Sequence, residues 1–470
     1  MIPTITIPQG RELSRRWAAG VVMDRLFGQW VCKVSPSPEW VIEVGNGKGN
    51  LVPRRIRTPD SFFQTANSEW LTSNSLPRLP LQMFNSTAFG LAATITSNKL
   101  PIIFGRSTYS ESGNGDVELG IDVFGSAFFM LSRYEEAVDS ARDKFDRFPA
   151  TASVAYRGGF LNRSIIDEYI EILWAIISKL WPELRRKPVR FRITPSHDVD
   201  EPSRDVFRGV GAVLKESIGD LVKRRNVSRA IQGTWHWLYG QWSLHPADPF
   251  NTFDQLMKLS DACGTKSTFY FMSGSTNPKY DRPYGIRHRA IRRLLRRIHE
   301  QGHFIGLHPS FETYLRPDLL SQEACRLWDV CRTLGIKQDQ WGARMHYLRW
   351  NLPHTWRALE EAGLSFDASL GFADMAGFRC GTCHEYRAFD VLADRALDLV
   401  VQPLIAMDVT ILNSQYMGLG TGESARKVIS ELRRSCEVVG GNFSLLWHNN
   451  QFQNPGEWDL YRHSLGSAAQ

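Results

Sequence analysis

Cysteine is scarce in this sequence, and long apolar runs are missing from it. The 470 residues include seven Cys, an odd number spread from Cys32 to Cys436, which predicts reduced thiols rather than a disulfide framework. No window approaches the roughly 18 uninterrupted apolar residues of a membrane-spanning helix. The start, "MIPTITIPQGRELSRRW", lacks an apolar segment after a basic head, so no signal peptide is expected. We therefore predict a cytoplasmic protein without a transmembrane segment.

A strong excess of one charge is lacking as well. The formal net charge is +7, yet Lys and Arg alternate with acids over most of the chain, so nucleic-acid binding is not predicted. The small positive excess favours an acidic ligand or a peripheral contact with an anionic membrane surface. With 43% hydrophobic and 22% charged residues, the composition excludes a disordered or fibrous chain. A chain of this length predicts two domains, each with its own core.

The boundary between these domains is predicted near residue 187. Apolar spacing of three and four residues predicts a helix from Arg163 to Trp181, and the basic, proline-containing linker "PELRRKPVR" follows it. Residues 1–187 are therefore predicted to form a mixed α/β domain of unknown role, and residues 188–470 a second domain. Within the latter, the basic segment from Ser203 to Gln241 predicts a pair of surface helices, with a helix on a membrane surface as the alternative.

Short strands alternate with helices throughout the second domain. The segment "VRFRITPSHDVDEP" predicts a strand that ends in polar residues, and "KSTFYFMSG" and "HFIGLH" predict two more, each preceded by a helix. The first of those helices is predicted to end at Gly264. The alternation recurs at least five times up to about residue 450, which predicts a parallel sheet, open or closed, with helices outside it.

Polar residues cluster where these strands end. In barrel-like α/β folds the carboxyl ends of the strands converge on one face, so residues far apart in sequence can share a pocket. The predicted members of this pocket are Asp198, Asp200, His308, Glu312, Arg344, His346, Asp367 and His448.

The first acids and His308 have the chemistry of a metal site. Asp198 and Asp200 are two residues apart, so in a strand both point to one side, where a cation would relieve their repulsion. One acid can then bind the metal while the other accepts a proton. His308 is a candidate ligand. Glu312 is four residues further on, so it would point to the same side as His308 if this segment forms one helical turn. Alternatively, the acids cap a strand end, His308 bonds a backbone carbonyl and Glu312 is solvated.

The remaining strand-end residues suit acid catalysis and orientation. His448 follows the apolar run "NFSLLW" and suits a general acid, with Asp367 as the group that orients its imidazole. Arg344 is expected to stabilise the Asp198 carboxylate by a bidentate contact. Each of these residues taken singly is equally consistent with a polar group that caps a strand. The "CGTC" run from Cys380 to Cys383 lacks a second pair, so a structural zinc site is not predicted there.

In the order of these segments the second domain resembles the NodB-like polysaccharide deacetylases of carbohydrate esterase family 4. The resemblance rests on "TPSHDVD", "GHFIGLHPSFETY", "GARMHYLRW", "FDASLG" and "LLWHNN", and it covers residues 188–455. Further segments, "IDVFGSAFFMLSRYEEA", "RFPATASVAYRGGFLNRSIIDEYIEIL" and "GFRCGTC", resemble the WbmS-like subgroup, which has an additional N-terminal domain. The resemblance implies a distorted (β/α)7 barrel beside that N-terminal domain.

The resemblance also implies a role for each site residue. It makes Asp198 the base with Arg344 as its partner, Asp200 and His308 metal ligands, and His448 the acid with Asp367 behind it. Residues expected to shape the pocket or contact the substrate are Trp350, His346 and Arg379. Where the family has a second His, this chain has Glu312, which we expect to replace the missing ligand, with water in that position or a weakened metal site as the alternatives.

The function expected from these residues is metal-dependent hydrolysis of a carbohydrate amide. The substrate would be an acetylated amino sugar of a bacterial surface polysaccharide such as the lipopolysaccharide O-antigen, or an acidic, nucleotide-linked or lipid-linked precursor. Zinc is the expected metal, with Co, Ni, Mn and Fe as alternatives. Because of Glu312, a glycan-binding protein without catalysis stays open, as does hydrolysis of an O-acetyl or N-formyl group.

Overall fold

The computed structural model of this chain describes residues 2–45, 54–204, 242–282 and 284–466, together with isolated positions between 206 and 240. It divides into two compact units. The first comprises Met1–Arg192, Leu370–Ile405 and Glu431–Phe443, and the second comprises Ile193–Ser369, Ala406–Ser430 and Ser444–Gln470. The basic segment from Ser203 to Gln241, predicted to be helical, lies for the most part outside the described residues.

The first unit is a mixed α/β structure. Its main sheet has the strand order β2-β1-β3-β4-β8-β7. Strands β5 and β6 form a separate antiparallel pair. Strands β14 and β15, from later in the chain, form another antiparallel pair. The predicted helix from Arg163 to Trp181 is confirmed as α5. The described strands are β1 (Pro3–Pro8), β2 (Val31–Ser35), β3 (Glu39–Val44), β4 (Arg55–Pro59), β5 (Gln82–Asn85), β6 (Lys99–Ile102), β7 (Gly105–Glu111), β8 (Val117–Ile121), β14 (Tyr386–Asp390) and β15 (Arg395–Val401). The described helices are α1 (Glu12–Leu26), α2 (Val123–Leu131), α3 (Tyr134–Val138), α4 (Val154–Arg157) and α5 (Ile165–Leu180).

The division of the chain differs from the single boundary predicted at residue 187. The first division falls close to it, after Arg192, but two later segments belong to the first unit. One reason lies in α1, where the Trp17 indole N–H donates to the Arg387 carbonyl at 3.0 Å and the Trp17 ring packs 5.2 Å from that of Phe389. These contacts bury β14 against α1, and no local sequence pattern predicts them.

The second unit is a parallel sheet with helices between its strands. Its strand order is β13-β12-β11-β10-β9-β17-β16, and the unit boundaries run through β9, α11 and β17. The strands are β9 (Arg192–Val199), β10 (Thr268–Phe271), β11 (Phe304–Leu307), β12 (Gly342–Ala343), β13 (Phe366–Asp367), β16 (Ala406–Met407) and β17 (Asn442–Leu446). The described helices are α6 (Phe253–Ala262), α7 (Arg289–Glu300), α8 (Pro317–Thr333), α9 (His354–Glu361), α10 (Asp408–Leu412), α11 (Glu423–Val438) and α12 (Pro455–Ser464).

The predicted alternation of strands and helices is confirmed in this unit. Neighbouring strands from β9 to β13 are parallel, and so are β16 and β17. Parallel strands need crossover connections, and helices α6 to α9 supply them. Among the described strands no pair joins β13 to β16, so the closure of the sheet into a barrel stays a prediction.

Local sequence explains where several of these helices begin and end. Helix α7 buries Ile291, Leu294, Leu295 and Ile298 on one face while its arginines point outward. Gly264, which follows α6, has a φ of 67°, the left-handed conformation that favours glycine after a helix, as predicted. None of the described helices combines the length and hydropathy needed to cross a membrane.

Candidate active site

The strand ends of the second unit bring together six of the eight residues predicted to share a pocket, namely Asp198, Asp200, His308, Arg344, His346 and His448. Asp198 lies near the end of β9 and Asp200 directly after it, whereas His308 follows β11. Arg344 and His346 come after β12, and His448 follows β17. Because these strands are parallel, their carboxyl ends lie on one side of the sheet.

Three of these side chains aim their donor atoms at a common point. His308 Nε2 lies 3.2 Å from Asp200 Oδ1, and His346 Nε2 lies 3.7 Å from the same oxygen. One donor atom from each residue lies within 4.8 Å of the other two. Both imidazoles are buried and Asp200 is partly exposed. The group therefore combines two imidazoles with one carboxylate and stays open on one side.

The opposite nitrogen of each imidazole is held by the protein. His308 Nδ1 contacts the Arg344 carbonyl oxygen at 2.5 Å, and His346 Nδ1 lies 3.0 Å from Asp281 Oδ1. Asp281 is buried, and its other oxygen accepts backbone N–H groups of Thr276 at 2.7 Å and Asn277 at 2.8 Å. Such contacts fix the ring orientation and leave both Nε2 atoms directed at Asp200.

The ionisation of this group is strongly perturbed. Burial alone would favour neutral Asp200, but the charge of His346 and contacts with both imidazoles hold its pKa well below the usual value. Burial likewise disfavours the charged form of His346, but Asp200 and Asp281 outweigh it and raise its pKa to about 9. The two imidazoles and the Asp200 carboxylate thus interact strongly, as titratable groups at functional sites often do.

The donor set fits a divalent ion. His308 Nε2 and Asp200 Oδ1 are buried without a hydrogen-bond partner among the described residues, although polar atoms in protein interiors are normally satisfied. Their 3.2 Å separation is close to the roughly 3.3 Å between ligands of a tetrahedral ion with bonds of about 2.0–2.1 Å. Two His and one carboxylate, with a further position open, are typical of catalytic zinc and related metals.

Glu312, predicted as a metal ligand, lies elsewhere in the structure. Its Oε2 accepts from Arg349 Nη1 at 3.0 Å, and its Oε1 accepts from the Asn277 side-chain amide at 3.1 Å. Its backbone N–H donates to Thr276 Oγ1 at 2.9 Å, and this bond helps to hold the segment after His308 so that the Glu312 side chain contacts Arg349 and Asn277. The prediction is corrected because His346, expected to contact the substrate, occupies the third position beside Asp200.

Asp198 and Arg344 form the predicted contact, with a different geometry. Arg344 Nη1 donates to Asp198 Oδ1 at 3.1 Å and to Ser196 Oγ at 2.7 Å, while its Nε donates to the Ala368 carbonyl at 3.0 Å. The contact therefore uses one guanidinium nitrogen and is not bidentate. Asp198 Oδ2 lies 3.8 Å from His308 Nε2, at the edge of the metal-ligand group. The role of Asp198 as base stays a prediction.

His448 is oriented by Asp408 and not by Asp367. His448 Nδ1 lies 2.8 Å from Asp408 Oδ1, and the His448 backbone N–H donates to Asp408 Oδ2 at 2.7 Å. Parallel pairing of β16 with β17 sets Asp408 beside the end of β17. Asp367 instead accepts from the Trp356 indole at 3.0 Å and from the Ser369 backbone at 2.8 Å. The predicted partner is thus corrected.

The environment of His448 suits an acid. Burial opposes its charge, but Asp408, with smaller contributions from Asp200 and Asp198, raises the pKa of His448 to about 10. Its Nε2 lies 3.8 Å from Asp200 Oδ2. The His448 imidazole therefore borders the metal-ligand group, and its raised pKa favours the proton-bearing form that a general acid needs.

Two acids of the site were missed in the sequence. Asp408 follows the short apolar run "LIAM" and resembles the other strand-end acids, so the same rule would have found it. Asp281 lies outside strands and helices, and no periodic pattern marks it.

Trp350 is 1% exposed and packs edge to face on Trp356 with ring centres 4.9 Å apart, and its effect on the pocket stays a prediction.

Arg379, predicted to contact substrate, belongs to the core of the first unit. Its Nε and Nη2 donate to the two Glu136 oxygens at 2.9 and 2.6 Å, and its Nη1 donates to the Gly371 carbonyl at 2.9 Å. Glu136 also pairs with Arg133 at 2.9 Å, and all three charged side chains are buried. These contacts give Arg379 a structural role.

Replacing Arg379 by Met is expected to destabilise the protein. The change leaves Glu136 buried with one partner fewer, which costs about 3 kcal/mol in the free energy of unfolding. Urea denaturation of the variant and the wild type measures this difference in the free energy of unfolding. The exposed pair of Arg387 with Asp398 provides the control, since R387M should cost less than about 1 kcal/mol. Unchanged stability in R379M would contradict the assignment.

Comparison with known proteins adds a family and several structures. Residues 47–182 match the model of a family of unknown function, DUF7033. No curated protein matches the chain in sequence.

Three solved structures resemble it. A protein from Mycobacterium smegmatis described as a polysaccharide deacetylase has 18% identity and a TM-score of 0.37, over 60% of this chain and 84% of its own. The Puue allantoinase has 12% identity and a TM-score of 0.35, over 59% and 84%. A Pseudomonas aeruginosa protein described as a polysaccharide deacetylase has 15% identity and a TM-score of 0.35, over 59% and 84%.

Proposed function

We propose that this protein is a metal-dependent hydrolase that removes an acetyl or similar acyl group from an amino sugar of a bacterial surface polysaccharide or its precursor. One observation carries the proposal. A carboxylate and an imidazole flank the ligand group, with Asp198 Oδ2 3.8 Å from His308 and His448 Nε2 3.8 Å from Asp200. Amide hydrolysis needs a base, an acid and an electrophile in this arrangement.

Asp200, His308 and His346 would hold the ion. A divalent ion bound there supplies positive charge that polarises an acyl carbonyl and acidifies water. Asp198 accepts the proton of the attacking water as the oxygen adds to the acyl carbon. Arg344 keeps the Asp198 carboxylate turned toward that position by its 3.1 Å contact.

His448 completes the reaction at the nitrogen. Its Nε2 donates a proton as the C–N bond breaks, so that a neutral amine leaves and the acyl group departs as a carboxylic acid. Asp408 holds Nδ1 at 2.8 Å and stabilises the charged imidazole before the transfer. Water is consumed once, and each proton has a named donor or acceptor.

The net charge of the chain supports one class of substrate over others. A net charge of +7 favours an acidic sugar, or a nucleotide-linked or lipid-linked precursor near an anionic surface. A glycan-binding protein without catalysis is the competing function, and its main support was the Glu312 substitution. His346 provides a third donor atom beside Asp200, which removes that support.

The experiment that tests the proposal combines metal analysis with a panel of substrates. Purified protein reconstituted with zinc, cobalt, nickel, manganese or iron is assayed on N-acetylated, N-formylated and O-acetylated amino-sugar oligomers, with a chelator as control. We expect metal-dependent release of the acyl group. D198N should lower kcat by about 10²- to 10⁴-fold and keep its bound metal. Binding of metal without hydrolysis of any member of the panel would contradict the proposal.

A further inference from the structure

The first unit contains a cavity that the proposed reaction does not use. Its volume is about 630 Å³, within the range of small-molecule sites. The end of α1 and the linker that follows α5 form much of its wall, which is completed by His384, Glu385, Gly440 and Asn442, the first residue of β17. The basic linker predicted to be a domain boundary thus lines a cavity of the first unit.

Positive charge dominates the wall of this cavity. Two acidic residues, Asp24 and Glu385, also line it. The basic residues are Arg25, Lys187, Arg190 and Arg192. Within the described residues neither Arg190 nor Arg192 has a side-chain hydrogen bond or a close ion pair, although the charge of Arg192 acts on Glu385 in the same wall. Guanidinium groups so placed attract and orient oxyanions.

Arg25 is the most constrained of these cations. Its side chain is 14% exposed, and its Nε and Nη2 atoms are buried without a hydrogen-bond partner in the described part of the chain. Its nearest acid, Asp167, lies 3.9 Å from Nη2. Burial lowers the pKa of the Arg25 guanidinium, and Asp167 only partly offsets this effect. A buried donor without an acceptor costs free energy that an anion would recover.

Asp167, Cys383 and His384 lie beside this cavity, but their environment does not favour a bound metal ion. Donor atoms of Asp167, Cys383 and His384 lie within 4.8 Å of one another. Asp167, however, already accepts from Thr382 Oγ1 at 2.8 Å and from the Cys383 backbone at 2.9 Å. Burial and Cys436 raise the pKa of the Cys383 thiol well above its usual value, so no thiolate is offered. Arg25 adds a positive charge beside the carboxylate.

We propose that this cavity binds a small molecule that carries an oxyanion group, through Arg25, Arg190 and Arg192. The site is independent of the proposed hydrolase. Arginine presents paired N–H groups that match the oxygens of phosphate or carboxylate, and both ligand types share this chemistry. The cavity is large enough for a sugar or nucleoside attached to the anion.

Calorimetric titration of the full chain tests this site. Inorganic phosphate and glutarate serve as the phosphate and carboxylate probes, and the tighter of the two assigns the anion. The paired change R190Q with R192Q should weaken binding roughly tenfold or more, and added salt should weaken it further. Both residues are exposed, so the variant should fold normally. R25Q should weaken binding too.

Two matched variants serve as controls for this cavity. Arg185 is exposed in the same linker but does not line the cavity, so R185Q should bind both probes as the wild type does. D200N removes a predicted metal ligand of the second unit and should also retain binding. The proposal is overturned if neither probe binds, if the paired variant binds normally, or if D200N abolishes binding.

Discussion

Replacing His346 by Ala is expected to lower the affinity of the protein for a divalent ion by at least about 100-fold. Loss of a group that only orients a ligating His typically costs 10- to 100-fold, so loss of the ligand itself should cost at least that much. His346 Nε2 lies 3.7 Å from Asp200, and the hydrogen bond to Asp281 aims it there. Glu312 is held by Arg349 and Asn277 instead, so E312Q should leave the affinity unchanged.

Competition with a fluorescent zinc chelator measures both affinities on purified protein. D281N forms an intermediate case, because it weakens the orientation of the His346 ring and should cost about 10- to 100-fold. Thermal unfolding of each variant controls for loss of structure. If E312Q lost the metal while H346A kept it, Glu312 would be the third ligand and the arrangement predicted from sequence would be right.

The sequence was sufficient to predict which strand ends meet, but not which side chains face each other. Asp198, Asp200, His308 and His448 follow apolar strand segments, and parallel pairing brings such ends together without any knowledge of their contacts. The position of Glu312 depended on an assumed helical turn. The structure holds it through Thr276, a residue of a distant loop. Contacts between segments so far apart leave no local pattern.

The same limit explains the division of the chain. Helix α5 has strong periodicity, and it was predicted close to its observed bounds, as were strands β9, β10 and β11, whereas the short strand β16 was not predicted. Strands β14 and β15 belong to the first unit through contacts such as Trp17 with Phe389, whereas the single boundary predicted at residue 187 placed their residues in the second domain. Tertiary packing decides such assignments, and local sequence does not encode it.

Replacing His448 by Gln is expected to lower kcat/KM for an N-acetylated amino sugar by about 10²- to 10⁴-fold, because an amine is a poor leaving group without a proton. An aryl acetate expels a phenolate that needs no proton, so the same variant should lose far less activity with p-nitrophenyl acetate. The contrast between the substrates separates loss of an acid from loss of metal or of structure. Equal losses on both would contradict the assignment of His448.

Asp408 determines the pH range in which His448 can act. The pKa of His448 is raised to about 10, so its protonated form is present below that pH and is lost as the pH rises through it. Since Asp408 is the main cause of this elevation, D408N should move the alkaline limb of the kcat/KM profile to lower pH. D367N is the matched control, because Asp367 is bonded to Trp356 and Ser369 and should leave the limb in place. A shift in D367N without one in D408N would restore Asp367 as the partner that the sequence predicted.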